Sequence, residues 1–362
     1  MLVGLLVIPT GADVPDIGED INLRAHYWFN GTFDDTQRDL LHATSGGGEG
    51  VTFVEDEQFG TVLDLAGGAD EDGNYLVIPG RAFGGSSGDV ENMTVSAWIN
   101  VDAQVAYARL FDFGTETANS FYYCPAIHNI GVSKFGTRAV INNNGQTYMA
   151  HNGTAIVVGG WHHVAIVLDS VNDTLTTYLD GVQTAKTTDI PVSFMDIRGE
   201  DGENNFYIGK SQGSESTFDG KIYDFRVYDS VKEASDVQEI MTSVLGDAEK
   251  IQYDSNALSL GDLGSTRNPR TEDFDLPEVG LCGSTITWES SNEAVVDPAT
   301  GVITRPAYTS EDATVTVVLT ATITSGGETT TKTFETVIPR ALSPEQVVKS
   351  DIDTLVLGTS PQ

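Results

Sequence analysis

Cysteine is nearly missing from this chain of 362 residues, which carries only Cys124 and Cys282, far apart in sequence. That excludes a disulfide framework and a four-thiolate metal site, and leaves both as free, buried thiols. Basic residues are scarce as well. Lys and Arg number 19 against 53 Asp and Glu, and a formal charge of −34 repels phosphate backbones and anionic membranes, so nucleic acid is excluded as a partner. No apolar run reaches the roughly 18–20 residues needed to span a bilayer as a helix. Long Leu/Ala/Glu/Lys stretches are absent too, which leaves little room for helix. What remains is 40% hydrophobic residues, 9% aromatics and 38 glycines, enough for about two cores built from short strands and many turns.

The opening Met1-Leu-Val-Gly-Leu-Leu-Val-Ile-Pro-Thr-Gly-Ala-Asp13 is an apolar stretch ending in small residues, without a basic n-region. Residues 1–20 read as a signal remnant or N-terminal extension, and the protein as secreted or cell-surface. From residue 21 onward, short runs alternate with period two, among them Asn92–Asn100, Trp161–Asp169 and Asp173–Asp180. Half-buried strands of this kind suit a sandwich of two antiparallel sheets over residues 21–245. Asp180-Gly181 and Asn144-Gly145 each predict a tight hairpin, because a primed turn needs positive φ. One amphipathic helix is expected, over Ser230–Leu245, with Asp247–Gln252 as a short linker after it. Beyond it threonine rises sharply. Ala313–Thr324 and Thr329–Ile338 around Gly326-Gly327 predict a long hairpin in a smaller sandwich over 251–340, with Trp288 at the centre of its core. Asp254-Ser-Asn-Ala-Leu-Ser-Leu-Gly261 recurs as Asp351-Ile-Asp-Thr-Leu-Val-Leu-Gly358, so residues 343–362 read as the start of a second such domain, or as a frayed tail. If the repeat is real, other domains of the same longer chain are its partners.

Signatures of catalysis are wanting. A retaining glucanase needs two carboxylates about 5–5.5 Å apart across the sugar bond, and no Glu-x-Asp-x-x-Glu pattern lies on an apolar strand. Glu55-Asp56-Glu57 reads as a solvated turn, as does the acidic run Asp196–Asn204. Gly84-Gly-Ser-Ser-Gly88 has the Gly-x-Ser-x-Gly spacing but, like Gly46-Gly-Gly48, no helix after it and no Lys-Ser/Thr, so neither is a nucleophile elbow or a phosphate loop and both read as flexible turns. Of His162 and His163, strand alternation lets at most one face the core, as a structural histidine. Sugar recognition needs exposed aromatic faces with amide or carboxylate neighbours. Tyr107, Tyr122, His128, Asn143 and Tyr148 fall in segments that can line one sheet or its rim, and are the candidate ligand contacts; Trp98 and Trp161 belong to a core.

Residues 23–241 resemble the laminin-G-like, concanavalin A-like lectin/glucanase jelly rolls. The motifs are Ala25-His-Tyr-Trp-Phe-Asn-Gly31, Met93-Thr-Val-Ser-Ala-Trp-Ile99, Arg109-Leu-Phe-Asp-Phe-Gly114, Gly160–Asp169, Tyr178-Leu-Asp-Gly-Val182, Asn205-Phe-Tyr-Ile-Gly209 and Phe218–Tyr228. Residues 257–338 resemble the atrophied bacterial immunoglobulin-like domain through Leu258–Asp262, Ser284–Asn292, Gly301–Pro306 and the threonine hairpin. The resemblance implies an all-β pair, a jelly roll and a smaller immunoglobulin-like sandwich, of the kind attached to secreted glycoside hydrolases. It implies a structural Ca2+ held by Asn30, Gly31 and Asp224, although Asn30 and Tyr223 depart from the Asp common in the family; the alternative for Asp224 is an ion pair with a nearby arginine. The function expected is a non-catalytic module that binds or positions a polysaccharide or other glycan. The alternative is a structural spacer or adhesin-type module without a sugar site.

Overall fold

A computed structural model of the chain describes residues 22–37, 41–47, 51–68, 73–80, 90–128, 135–153, 156–198 and 205–355. The expected signal remnant, the Gly84–Gly88 loop, most of the acidic run after Arg198 and the end of the second repeat lie outside them. The chain divides into two units, Met1–Ser243 and Val244–Gln362.

The first unit runs β1 (Leu23–Tyr27), β2 (Thr44–Gly47), β3 (Thr52–Asp56), β4 (Gly60–Gly68), β5 (Asn74–Ile78), β6 (Met93–Val101), β7 (Phe111–Glu116), β8 (Asn119–His128), β9 (Phe135–Asn143), β10 (Gln146–Asn152), β11 (Trp161–Asp169), β12 (Thr174–Leu179) and β13 (Val182–Thr187). It closes with α1 (Phe194–Arg198), β14 (Asn205–Ile208), β15 (Thr217–Tyr228) and α2 (Ala234–Thr242). An eight-stranded sheet has the order β13-β12-β11-β6-β15-β4-β3, with β1 also on β15, and a seven-stranded sheet has the order β10-β9-β8-β7-β14-β5-β2. Every pairing is antiparallel. The period-two pattern turns Val95, Ala97 and Ile99 of β6 and Val164, Ile166 and Leu168 of β11 into one core with Phe111, Phe113, Phe121 and Ile141 of the facing sheet.

Both expected hairpins form. Asp180 and Gly181 have φ of 49° and 75°, and Asn144 and Gly145 φ of 48° and 82°, the paired positive values of a type I′ turn. The helix is shorter than its hydrophobic pattern. It begins only at Ala234, where the backbone N–H of Glu233 donates to the Asp236 carboxylate at 2.9 Å and fixes the start.

The eight-stranded sheet is buried on its outer face too. Val237 of α2 covers Ala165, Val167 and Tyr178, and beside it Phe59 packs on Trp98 (5.4 Å between ring centres), Trp161 (5.0 Å) and Tyr223 (4.6 Å, stacked). Trp98 and Trp161 are therefore buried, but in this second layer rather than between the sheets. His163 pairs beside Trp98 and lies in the same layer, with neither ring nitrogen hydrogen-bonded among the described residues. In β15 the register shifts between Tyr223 and Arg226, and Asp224 takes a φ of 53°. The extra residue is a β-bulge: it keeps Phe225 and Val227 in the core while setting Asp224 beside Arg226 and His26.

The second unit comprises α3 (Asp247–Ala257), β16 (Thr285–Ser290), β17 (Thr314–Ser325), β18 (Glu328–Pro339) and α4 (Pro344–Leu355), with β16-β17-β18 forming one sheet. The threonine hairpin turns at Gly326 and Gly327 as its sequence predicts. Asp247–Gln252 is not a linker but the first part of α3. The physical reason is that Ile251 enters the core and the buried Asp254 carboxylate accepts the backbone N–H groups of Cys282 (2.6 Å) and Ser284 (3.1 Å). Trp288 is half-buried, packing at the edge of a core centred on Val317, Leu319, Ala321, Ile323 and Ile338, because its indole N–H reaches out to the Pro277 carbonyl. Cys124 and Cys282 are buried and form no disulfide.

Candidate functional site

Unlike the inner face, the outer face of the seven-stranded sheet carries charged side chains among its tyrosines, in register. Cross-strand pairing aligns Met149, Val140, Tyr122, Asp112, Tyr207 and Val77 in one row, and His151, Arg138 and Cys124 in the next. Tyr75 follows Val77 on the same face of β5 and meets Tyr207 edge-on, 5.5 Å between ring centres. Its ring lies over Gly46 of β2, where a Cβ would come within 2.4 Å of it, so Gly46 is the bare floor beneath Tyr75 rather than a flexible turn.

Arg109 organises the middle of this face. It is buried, its guanidinium lies 3.7 Å from the centre of the Tyr122 ring, and it donates to the Tyr107 carbonyl (2.5 Å), the Cys124 sulfur (3.0 Å) and Glu215 Oε1 (3.3 Å). Asp112 Oδ2 stands 3.6 Å from Arg109 Nε and accepts the Gln212 N–H at 3.0 Å; its Oδ1 is buried with no partner among the described residues. Burial pushes the Asp112 pKa up to about 7, against the pull of Arg109. Tyr107 adopts a φ of 65°, a left-handed conformation costly for a bulky residue, and stands 5.3 Å from the Arg138 guanidinium.

Tyr107 and Tyr122 are brought together, but Tyr122 lies under Arg109 and offers no open ring. Tyr148 is not part of this face: it pairs with Ile141 and packs against the core between the sheets, because alternation sends it the other way. Asn143 sits at the end of the β9–β10 hairpin, accepting from Asn144 at 2.9 Å, at the margin of the sheet. His128 ends β8 opposite Phe135, and its side chain lies outside the described residues. Tyr75, Tyr207, Arg109, Asp112 and Arg138 are the members that sequence reading missed. A carboxylate in the middle of the aromatic strand Phe111-Asp-Phe113 was the available signal.

Asp224, one of the three expected calcium ligands, is engaged by other side chains. Asp224 Oδ1 accepts from Arg226 Nε at 2.8 Å and stands 2.7 Å from His26 Nε2, all three buried, so the arginine alternative is the one realised and a dication there would face a guanidinium. Asn30 and Gly31 are exposed. Among the described residues no group of three or more His, Cys, Asp or Glu side chains is placed to hold a metal.

Asp112 and Glu215 are two carboxylates sharing one arginine. Asp112 is 2% exposed beneath the Gln212 backbone, and Glu215 Oε2 is taken by the Ser211 hydroxyl at 2.6 Å, so a sugar oxygen has no path to the raised-pKa acid.

Residues 70–238 match the concanavalin A-like lectin/glucanases superfamily, and residues 251–341 match the atrophied bacterial Ig domain. The chain is a concanavalin A-like domain followed by an Ig domain. No curated protein sequence matches it. Among solved structures it is similar to domain 4 of AbnA, a GH43 extracellular arabinanase from Geobacillus stearothermophilus, in complex with arabinotriose: 20% identity, 61% of this chain and 98% of that one, TM-score 0.47. It is similar to the binding domain of botulinum neurotoxin DC in complex with rat synaptotagmin II at 11% identity, covering 89% of this chain and 79% of that one, TM-score 0.47. A sialidase CBM40 from Ruminococcus gnavus, bound to α2,3-sialyllactose, is similar at 19% identity over 43% of this chain and 83% of that one, TM-score 0.35. The concanavalin A-like domain supplies the face described above; no helix among the described residues is long and apolar enough to cross a membrane.

Proposed function

We propose that the concanavalin A-like domain is a non-catalytic carbohydrate-binding module, and that the Ig domain spaces it from other domains of a secreted, glycan-degrading protein. The observation that carries this reading is the outer face of the seven-stranded sheet, where the half-buried rings of Tyr75, Tyr207 and Tyr107 stand among arginine, lysine and glutamate side chains. Sugar C–H faces stack on such rings and hydroxyls take the flanking hydrogen bonds. The sealing of Asp112 favours gripping over cutting. The acidity of the chain accords with life outside the cell, and residues 343–362 fit the start of a second Ig-type repeat, since α4 begins one domain-length after α3.

Affinity electrophoresis against plant and marine polysaccharides tests the reading. Tyr207→Ala and Tyr75→Ala are each expected to weaken retention about tenfold, from stacking worth about 1 kcal/mol plus the flanking contacts it positions. Unchanged retention in both variants would move the site off this face. Retention on no polysaccharide at all would favour the spacer role, and release of reducing sugar by the purified chain would make the domain an enzyme.

A further inference from the structure

Among the described residues of the concanavalin A-like domain, Arg24 pairs with Asp229, Lys221 with Asp102, Arg226 with Asp224, and Arg109 with Asp112 and Glu215. In a chain with 53 acidic and 19 basic residues that is the expected outcome. Arg138 departs from it. Among the described residues no carboxylate pairs with it and no group accepts a hydrogen bond from its side chain, and its Nε is buried without a partner. Its companions are the Tyr107 ring, Cys124 on β8 and the exposed His151 on β10. The same face holds two further cations over rings, Arg109 on Tyr122 and Lys210 on Tyr75, the latter 5.1 Å from the ring centre. The carboxylates beside them are already engaged: Glu215 by Arg109 and Ser211, Asp112 by Gln212. A strongly acidic protein thus keeps a guanidinium unneutralised on the face that carries the half-buried rings of Tyr75, Tyr107 and Tyr207.

Resting on the carbohydrate-binding reading, we propose that this face takes an acidic saccharide, one bearing a carboxylate such as a uronic acid, with the carboxylate meeting Arg138 beside Tyr107. A guanidinium offers a planar fork of donors that matches a carboxylate with two parallel bonds, and an aromatic wall at its side limits competing water. The overall charge of −34 repels anions at a distance, so an acidic sugar is held only where a local cation is free of its own acids. The aromatic partner then stacks on the pyranose ring that carries the charge.

The test uses the full chain and three oligosaccharide probes at physiological salt: oligogalacturonate, the same oligomer with its carboxylates methyl-esterified, and a sulfated dextran oligomer. Titration calorimetry is expected to show oligogalacturonate bound at least tenfold more tightly than its ester. Arg138→Gln is expected to weaken acid binding at least tenfold more than ester binding and so remove that difference, and Arg138→Lys to restore part of it. Equal affinity for acid and ester, with Tyr207→Ala weakening both, overturns the acidic-sugar assignment and leaves carbohydrate binding standing. Tighter binding of the sulfated oligomer than of oligogalacturonate overturns the carboxylate assignment. Failure to bind any of the three or any neutral polysaccharide overturns both readings. Because the acid and ester are compared on the unaltered protein, the outcome does not depend on the variants folding.

Discussion

Asp224→Ala is expected to destabilise the concanavalin A-like domain by about 3–5 kcal/mol, the usual cost of stranding a buried charge. Arg226 is 3% exposed and would lose its carboxylate partner, while the His26 ring would lose its hydrogen bond in the same buried pocket. Burial by itself pushes the Asp224 pKa up, and Arg226 and then His26 more than offset it, so the carboxylate is held below its ordinary range. Chemical denaturation in urea measures the loss as a lowered midpoint at unchanged slope. Calcium separates this account from a metal site. A cation that binds only the folded state raises the melting temperature with its concentration, so the expected result is the same melting curve in millimolar calcium and in chelator, for the native chain and the variant alike. A calcium-dependent rise that Asp224→Ala abolishes would restore Asp224 as a metal ligand.

The second large effect concerns Asp112, and its sign depends on pH. The folded-state pKa of about 7 stands above the ordinary 3.8, so the folded protein binds more protons than the unfolded chain between those values. Stability from this group is complete at low pH, falls as pH rises through the window and is lowest above pH 7. His163 does the opposite. Burial lowers its pKa from 6.5 to about 4, the unfolded chain takes the proton first, and stability rises with pH from about 4 to 6.5. The two slopes oppose each other in the native chain, which should show little pH dependence from this pair between pH 4 and 6.5. Asp112→Asn removes one of them. It is expected to stabilise the protein above pH 7, with about 4 kcal/mol as the ceiling set by the shift, and to uncover a rise in stability of up to about 3 kcal/mol between pH 4 and 6.5. Urea midpoints at half-unit pH intervals would show it. A variant less stable than the native chain at pH 8 would mean that the charged Asp112–Arg109 pair, not a strained carboxylate, is what the fold retains.

Those two residues also show where sequence reading reaches its limit. Local chemistry fixed the hairpins, because Asp180-Gly181 and Asn144-Gly145 can adopt positive φ in succession with little strain, and it fixed the strands, because alternation over Met93–Val101 and Trp161–Asp169 leaves one way to face a core. Composition excluded a disulfide scaffold and a helical bundle. Alternation alone also says that Tyr122 and Tyr148 can line a surface, but not which surface. Only the pairing of β8 with β9 and β9 with β10 sends Tyr122 outward and Tyr148 inward. The bulge that sets Asp224 beside His26 and the burial of Asp112 under Gln212 join segments distant in sequence, and the roof of Arg109 over Tyr122 and the unpaired Nε of Arg138 depend on how the neighbouring strands pack. Periodicity is a property of a strand by itself, whereas these contacts are set by which strands become neighbours, and that is decided only when the sheets close.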